Sequence, residues 1–160
     1  VNTMALINRK LFANDAVESI DLVPFLTELA DELAYSYGVD GSVFHLNSHS
    51  ANVQLSPDQS VPVCLAMNEL ISNALKYAVP DNPNPKIVLD VSVEQGKLRF
   101  SIRDNGPGFP NGFDGAQQGS FGWELVRMMT EQLEGDVKAY NDEGAIVELF
   151  FPLKNNPSES

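Results

Sequence analysis

Asn68–Ala78 reads NELISNALKYA, and its phase decides how the rest of the chain is read. On a helix, with 3.6 residues per turn, Glu69, Asn73, Lys76 and Tyr77 fall along one stripe. Met67, Leu70, Ile71, Ala74, Leu75 and Ala78 fill the opposite side, as a core-facing helix requires. Solvated helix faces are built mostly from Lys, Glu and Arg. A carboxylate, an amide, a cation and a phenol side by side, with Asn a poor helix former, point to a face that does something other than meet water.

Two glycine-containing segments follow. Asp104–Phe109 reads DNGPGF and Gly119–Val126 reads GSFGWELV. A Glu-x-x-x-Asn helix, then Asp-x-Gly-x-Gly, then Gly-x-x-Gly opening a second helix, is an ordered set far more specific than any one glycine pattern. In these motifs the chain resembles the ATP-binding domain of the GHKL superfamily: sensor histidine kinases, gyrase-type topoisomerases, a class of chaperones and a mismatch-repair protein. It is most similar to the catalytic domain of bacterial histidine kinases whose nucleotide helix reads NEL-x-x-NALK. The resemblance covers about residues 15–153.

At 160 residues, 43% hydrophobic and 20% charged, the chain suits one globular domain with a sizeable core. No apolar run approaches membrane-spanning length. VNTMALINRK at the start lacks the pattern of a signal peptide. The single cysteine, Cys64, excludes an internal disulfide framework or a cysteine metal cluster and is expected buried and inert on the apolar side of the nucleotide helix. These features point to the cytoplasm, with the parent protein either soluble or membrane-attached. A net charge of −12 argues against nucleic acid as a partner, because phosphate backbones call for clustered Lys and Arg. ATP is an anion too, so a bound cation and local donors must outweigh the global field.

Taken in order, residues 1–14 read as the remnant of an upstream helix and a linker. In the resemblance this is where a dimerising hairpin carrying the phosphoacceptor histidine ends. Asp21 is an N-cap candidate, and Leu22–Tyr37 has the spacing of a core helix stopped by Gly38. Ser42–Leu46 and Ala51–Leu55 are expected as short strands around a polar Asn47–Ser50 turn, with His45 and His49 as solvated or structural histidines. Ser56-Pro57-Asp58 starts the nucleotide helix, and Pro80–Pro85 (PDNPNP) ends it. Lys86–Val93 and Lys97–Arg103 form a hairpin running into Asp104. Asn111–Gln118 is a short loop of the lid type, Gly119–Glu134 a helix, Asp136–Asn141 and Ala145–Phe151 a closing hairpin, and 154–160 a polar tail. The predicted fold is α+β, a two-layer sandwich of the histidine kinase (Bergerat) type with helices on one face of a mixed, mostly antiparallel sheet.

The resemblance implies a role for each motif position. Asp104 would accept the adenine exocyclic amine, with Gly106 and Gly108 admitting close backbone approach. Asn73 would ligate Mg²⁺ bridging the triphosphate. Lys76 would reach phosphate oxygens, and Tyr77 would line the nucleotide pocket. Glu69, a general base toward water in the superfamily's ATPases, would here orient or deprotonate an imidazole nucleophile. Gly119, Ser120, Phe121 and Gly122 would offer backbone N–H groups to phosphate at a helix N-terminus. Asn68 points nearer the apolar side and is assigned no chemistry. Four features depart from the family: Trp123 stands where leucine or methionine is usual; Ala145 stands where many relatives carry a threonine, a loss of about 1 kcal/mol; Phe109-Pro110 fixes the base of the lid; and the lid, Asn111–Gln118, is short and lacks the aromatic block of larger kinases.

The function so implied is transfer of the ATP γ-phosphoryl group to a histidine on an upstream dimerisation domain, in a parent that is a homodimer and serves a response regulator receiver domain. The alternatives are an anti-sigma-factor serine kinase and a catalytically inactive nucleotide-sensing interaction module.

Overall fold

A computed structural model describes residues 19–50, 52–110 and 121–154. The predicted upstream remnant at 1–14, the loop Asn111–Gln118, Gly119, Ser120, the Phe121 side chain and the tail from 155 lie outside the described residues.

The elements are β1 (Ile20–Asp21), α1 (Leu22–Ser36), a 3-10 turn (Gly41–Val43), β2 (Phe44–Ser48), β3 (Gln54–Leu55), α2 (Pro57–Ala78), β4 (Ile87–Glu94), β5 (Lys97–Asp104), α3 (Phe121–Gln132), β6 (Asp136–Asn141) and β7 (Ala145–Pro152). Five strands form one sheet in the order β2-β4-β5-β7-β6, antiparallel except for the parallel β2–β4 pair. Alternation dictates its two faces. Ile87, Leu89 and Val91, then Leu98, Phe100 and Ile102, then Val147, Leu149 and Phe151 are all buried and join one core cluster with the helices. On the opposite face Arg99 pairs with Glu148, which also accepts a hydrogen bond from the Tyr140 hydroxyl at 3.0 Å. Burial works against the charged form of Glu148, but the bonds from Arg99 and Tyr140 prevail and hold its carboxyl below the ordinary carboxylate range.

Helix α2 is the spine. Pro57 takes the first helical position, where its missing N–H costs nothing, and Asp58 faces the positive helix end. Met67, Leu70, Ile71, Ala74, Leu75 and Ala78, the predicted apolar stripe, are all buried. Cys64 is buried too, and that burial pushes its thiol from the ordinary 9.0 up to about 12. Near the start of α2, Gln59 is only 2% exposed. Its Nε2 donates to the Pro152 carbonyl at 2.7 Å, and its Oε1 accepts the Lys154 N–H at 3.1 Å. One side chain thus ties α2 to the end of the last strand. Among the described residues no helix is long and apolar enough to cross a membrane.

The region before α2 differs from the sequence reading. Ser42 and Val43 lie in the 3-10 turn, where the Asp40 carboxylate accepts the Ser42 N–H at 2.9 Å, so the strand starts at Phe44 and runs through Asn47 and Ser48, predicted as turn. The predicted Ala51–Leu55 strand contracts to Gln54–Leu55. It pairs with Ile20–Asp21 in a separate two-stranded sheet, while β2 turns to β4 instead. Asp21 occupies the N-cap position of α1 without a side-chain capping bond.

Candidate functional site

Helix α2, the end of β5 and the start of β7 converge on a cavity of about 410 Å³. Its walls are Leu70, Asn73, Ala74 and Tyr77 from α2, Ile102 and Asp104 from β5, Pro107–Pro110, Trp123 from α3, and Ala145 and Val147 from β7. The walls are mostly apolar with a few convergent polar groups, the usual character of a small-molecule site.

Asp104 is the fixed point. Its Oδ1 accepts two backbone N–H bonds, from Gly106 at 2.9 Å and from Ala145 at 3.1 Å. The carboxylate is therefore anchored by the backbone through one oxygen at the cavity wall. Ala145 lacks the hydroxyl expected there, yet its backbone takes part in the site through Asp104.

The loop after Asp104 is gripped on both sides. Asn105 Oδ1 accepts from Asn82 Nδ2 at 3.0 Å and from the Lys86 N–H at 2.9 Å, while Asn105 Nδ2 donates to the Asn84 carbonyl at 2.9 Å. Gly106 lies so close to the end of α2 that a Cβ on it would sit 2.6 Å from the Ala78 Cα. At the other end Asn141, closing β6, accepts the Phe109 N–H on Oδ1 at 2.8 Å and donates from Nδ2 to the Phe109 carbonyl at 3.0 Å.

Of the predicted site residues, Asn73, Tyr77, Asp104 and Gly108 line the cavity. Tyr77 does so while 65% exposed. Glu69 is half-buried one turn before Asn73, Lys76 is exposed near the end of the helix, and Gly122 is half-buried at the start of α3; none of these three is a wall residue. Gly106 supports the floor of the loop instead of facing the cavity. Trp123 is buried and is a wall. Asn68 is half-buried with its Oδ1 shut from solvent and without a hydrogen-bond partner. The asparagines at 82, 105 and 141 carry no signal in a single sequence, since asparagine in a loop reads as a turn former.

Residues 58–155 match the family model described as histidine kinase-, DNA gyrase B- and HSP90-like ATPase. The chain belongs to this ATPase family. Blue-light-activated histidine kinase 2 of Erythrobacter litoralis is 26% identical over 137 residues, which are 84% of this chain and 39% of that protein. The chain thus spans about two fifths of the length of this curated relative. The fold matches the histidine kinase domain of an Erythrobacter litoralis blue-light activated histidine kinase, with a TM-score of 0.80 at 24% identity over 94% of this chain and 71% of that one. Acinetobacter baumannii histidine kinase AdeS gives a TM-score of 0.67 at 16% identity over 96% of this chain and 76% of that one.

The donors of this ATPase domain suit an ion that arrives with a nucleotide. Asn73 offers a neutral amide oxygen at the cavity wall, and among the described residues no group of three or more His, Cys, Asp or Glu is gathered to hold a metal.

Proposed function

We propose that this ATPase domain binds Mg²⁺-ATP in the cavity beside Asp104 and passes the γ-phosphoryl group to a histidine on a separate dimerisation domain of a homodimeric sensor kinase. That kinase would in turn phosphorylate a response regulator receiver domain. The observation that carries the reading is the carboxylate of Asp104, locked by Gly106 and Ala145 with one oxygen left to a donor. An adenine exocyclic amine is such a donor, and guanine presents a carbonyl at that position. Phosphoryl transfer calls mostly for positioning and charge neutralisation.

In this scheme Asn73 would hold Mg²⁺, which neutralises phosphate charge when bound. Lys76, exposed near the helix end, would reach phosphate oxygens as a point charge. Tyr77, Gly106, Gly108 and Trp123 would shape the nucleotide walls, and Gly119, Ser120, Phe121 and Gly122 would supply phosphate-binding N–H groups. Glu69, one turn before Asn73, would orient or deprotonate the acceptor imidazole.

The test is calorimetric binding of ATP, ADP and GTP with and without Mg²⁺, followed by addition of a phosphoacceptor helical hairpin from a histidine kinase. Adenine-selective binding and acid-labile phosphate on the hairpin are expected. Absence of binding at millimolar nucleotide would sink the reading, and acid-stable phosphate on a protein serine would move the reaction to a serine kinase.

A further inference from the structure

The β6–β7 ladder ends on the pair Asn141 and Ala145, directly opposite each other. Both reach into the same loop. The Ala145 N–H holds Asp104 Oδ1 at 3.1 Å, while the Asn141 side chain accepts from the Phe109 N–H and donates to the Phe109 carbonyl, closing a two-bond ring on the backbone of that residue. One rung of the sheet therefore sets both the carboxylate and the far end of the wall Pro107–Pro110 that stands beside it. An amide side chain is suited to this, since it presents one acceptor and one donor in a plane, as a neighbouring strand would.

Gly108 fits the same arrangement. Its φ is +80°, and a Cβ on it would fall 2.7 Å from Asn141 Oδ1 and 2.9 Å from its Cγ. The left-handed backbone already calls for glycine, and a side chain here would also crowd the Asn141 amide against the loop.

We propose that Asn141 is a positioning residue for nucleotide binding: it holds the Pro107–Pro110 wall in its binding form before nucleotide arrives. The role rests on the adenine-nucleotide reading of the cavity given above. Asn141 is exposed and outside the core, so its loss leaves global stability almost unchanged. What changes is the fraction of molecules whose wall is in place, and apparent affinity falls in proportion to that fraction.

The experiment uses the full chain and two variants, Asn141→Ala and Asn141→Asp. The second keeps the shape and an acceptor for the Phe109 N–H but sets a carboxylate oxygen against the Phe109 carbonyl. ADP and ATP affinities are measured by calorimetry, thermal stability by circular dichroism, and exchange of the Phe109 amide by NMR. The expected result is a Kd about tenfold higher for both nucleotides, faster Phe109 exchange and an unchanged melting temperature. Wild-type affinity in both variants overturns the proposal while leaving the nucleotide site standing. Affinity lost only in step with a falling melting temperature also overturns it, because that pattern marks a merely structural residue. A wild-type chain that binds no adenine nucleotide overturns both the site and this role.

Discussion

The backbone N–H of Ala145 donates to Oδ1 of Asp104 across 41 residues of sequence, at 3.1 Å. The carboxylate at the end of β5 is therefore oriented by the first residue of β7, and in the proposed function its second oxygen would meet the adenine amine. In Asp104→Asn the two backbone bonds can persist on the amide oxygen, but an NH₂ group then meets the adenine amine, donor against donor. ATP affinity is expected to fall by about 1.5–3 kcal/mol, roughly ten- to a hundredfold, together with the preference for ATP over GTP. Calorimetry checks both. Wild-type affinity in this variant would remove Asp104 from the site.

Asn73 lines the cavity from the polar side of α2. Asn73→Ala and Asn73→Asp are expected to keep the fold, because the apolar stripe of the helix is untouched. Both are expected to lose Mg²⁺-dependent phosphotransfer by at least about tenfold. Matched circular dichroism spectra and a phosphotransfer assay across a Mg²⁺ titration decide the matter; full transfer in either variant refutes the role.

Trp123 is the sole tryptophan of the chain, and it is a cavity wall. Its fluorescence is expected to shift in intensity or wavelength on titration with ADP, with a midpoint equal to the calorimetric Kd. A flat titration at saturating ADP would show that nucleotide does not enter beside it.

The Cys64 thiol, raised to about 12 by burial, makes stability fall with alkaline pH. The unfolded chain releases its thiol proton near the ordinary value while the folded chain retains it. The contribution is thus present in full below about pH 9 and is lost as pH rises toward 12. Cys64→Ala is expected to show a shallower decline of unfolding free energy between pH 8 and 10, by roughly 1–2 kcal/mol over that span, read by urea unfolding at each pH. In the wild type a maleimide should label Cys64 only on unfolding. Rapid labelling of the folded chain would contradict its burial.

Gln59 bridges the start of α2 and the end of β7 from a buried position. Gln59→Ala leaves the Pro152 carbonyl and the Lys154 N–H without this partner, and is expected to cost about 1–3 kcal/mol. Urea unfolding measures it, and an unchanged midpoint would show that solvent replaces the bridge freely.

How much of this was legible in advance follows from the range of each interaction. Alternation in Ile87–Glu94 and Lys97–Asp104 announces a hairpin, because residues of one strand face one core. The helical stripe from Met67 to Ala78 is equally local. Ile20–Asp21 is too short to show any period and becomes a strand only by meeting Leu55 and Gln54. That Phe44–Ser48 pairs in parallel with β4 depends on a crossover through α2, which no local pattern encodes. In the site, Asn73, Asp104 and Gly108 were legible because their motifs are local. That the Gly108 segment packs against the Asn141 amide is a relationship between distant segments and could not be read from DNGPGF.

The cavity draws its walls from α2, β5, α3 and β7, between Leu70 and Val147. No excised helix or hairpin carries it, and it exists only while the whole sheet is assembled. Occupancy and folding are then one thermodynamic quantity: a ligand at 100 times its Kd adds about 2.7 kcal/mol to the stability of the entire unit. Proteolysis of the purified domain would thereby slow as ligand is added.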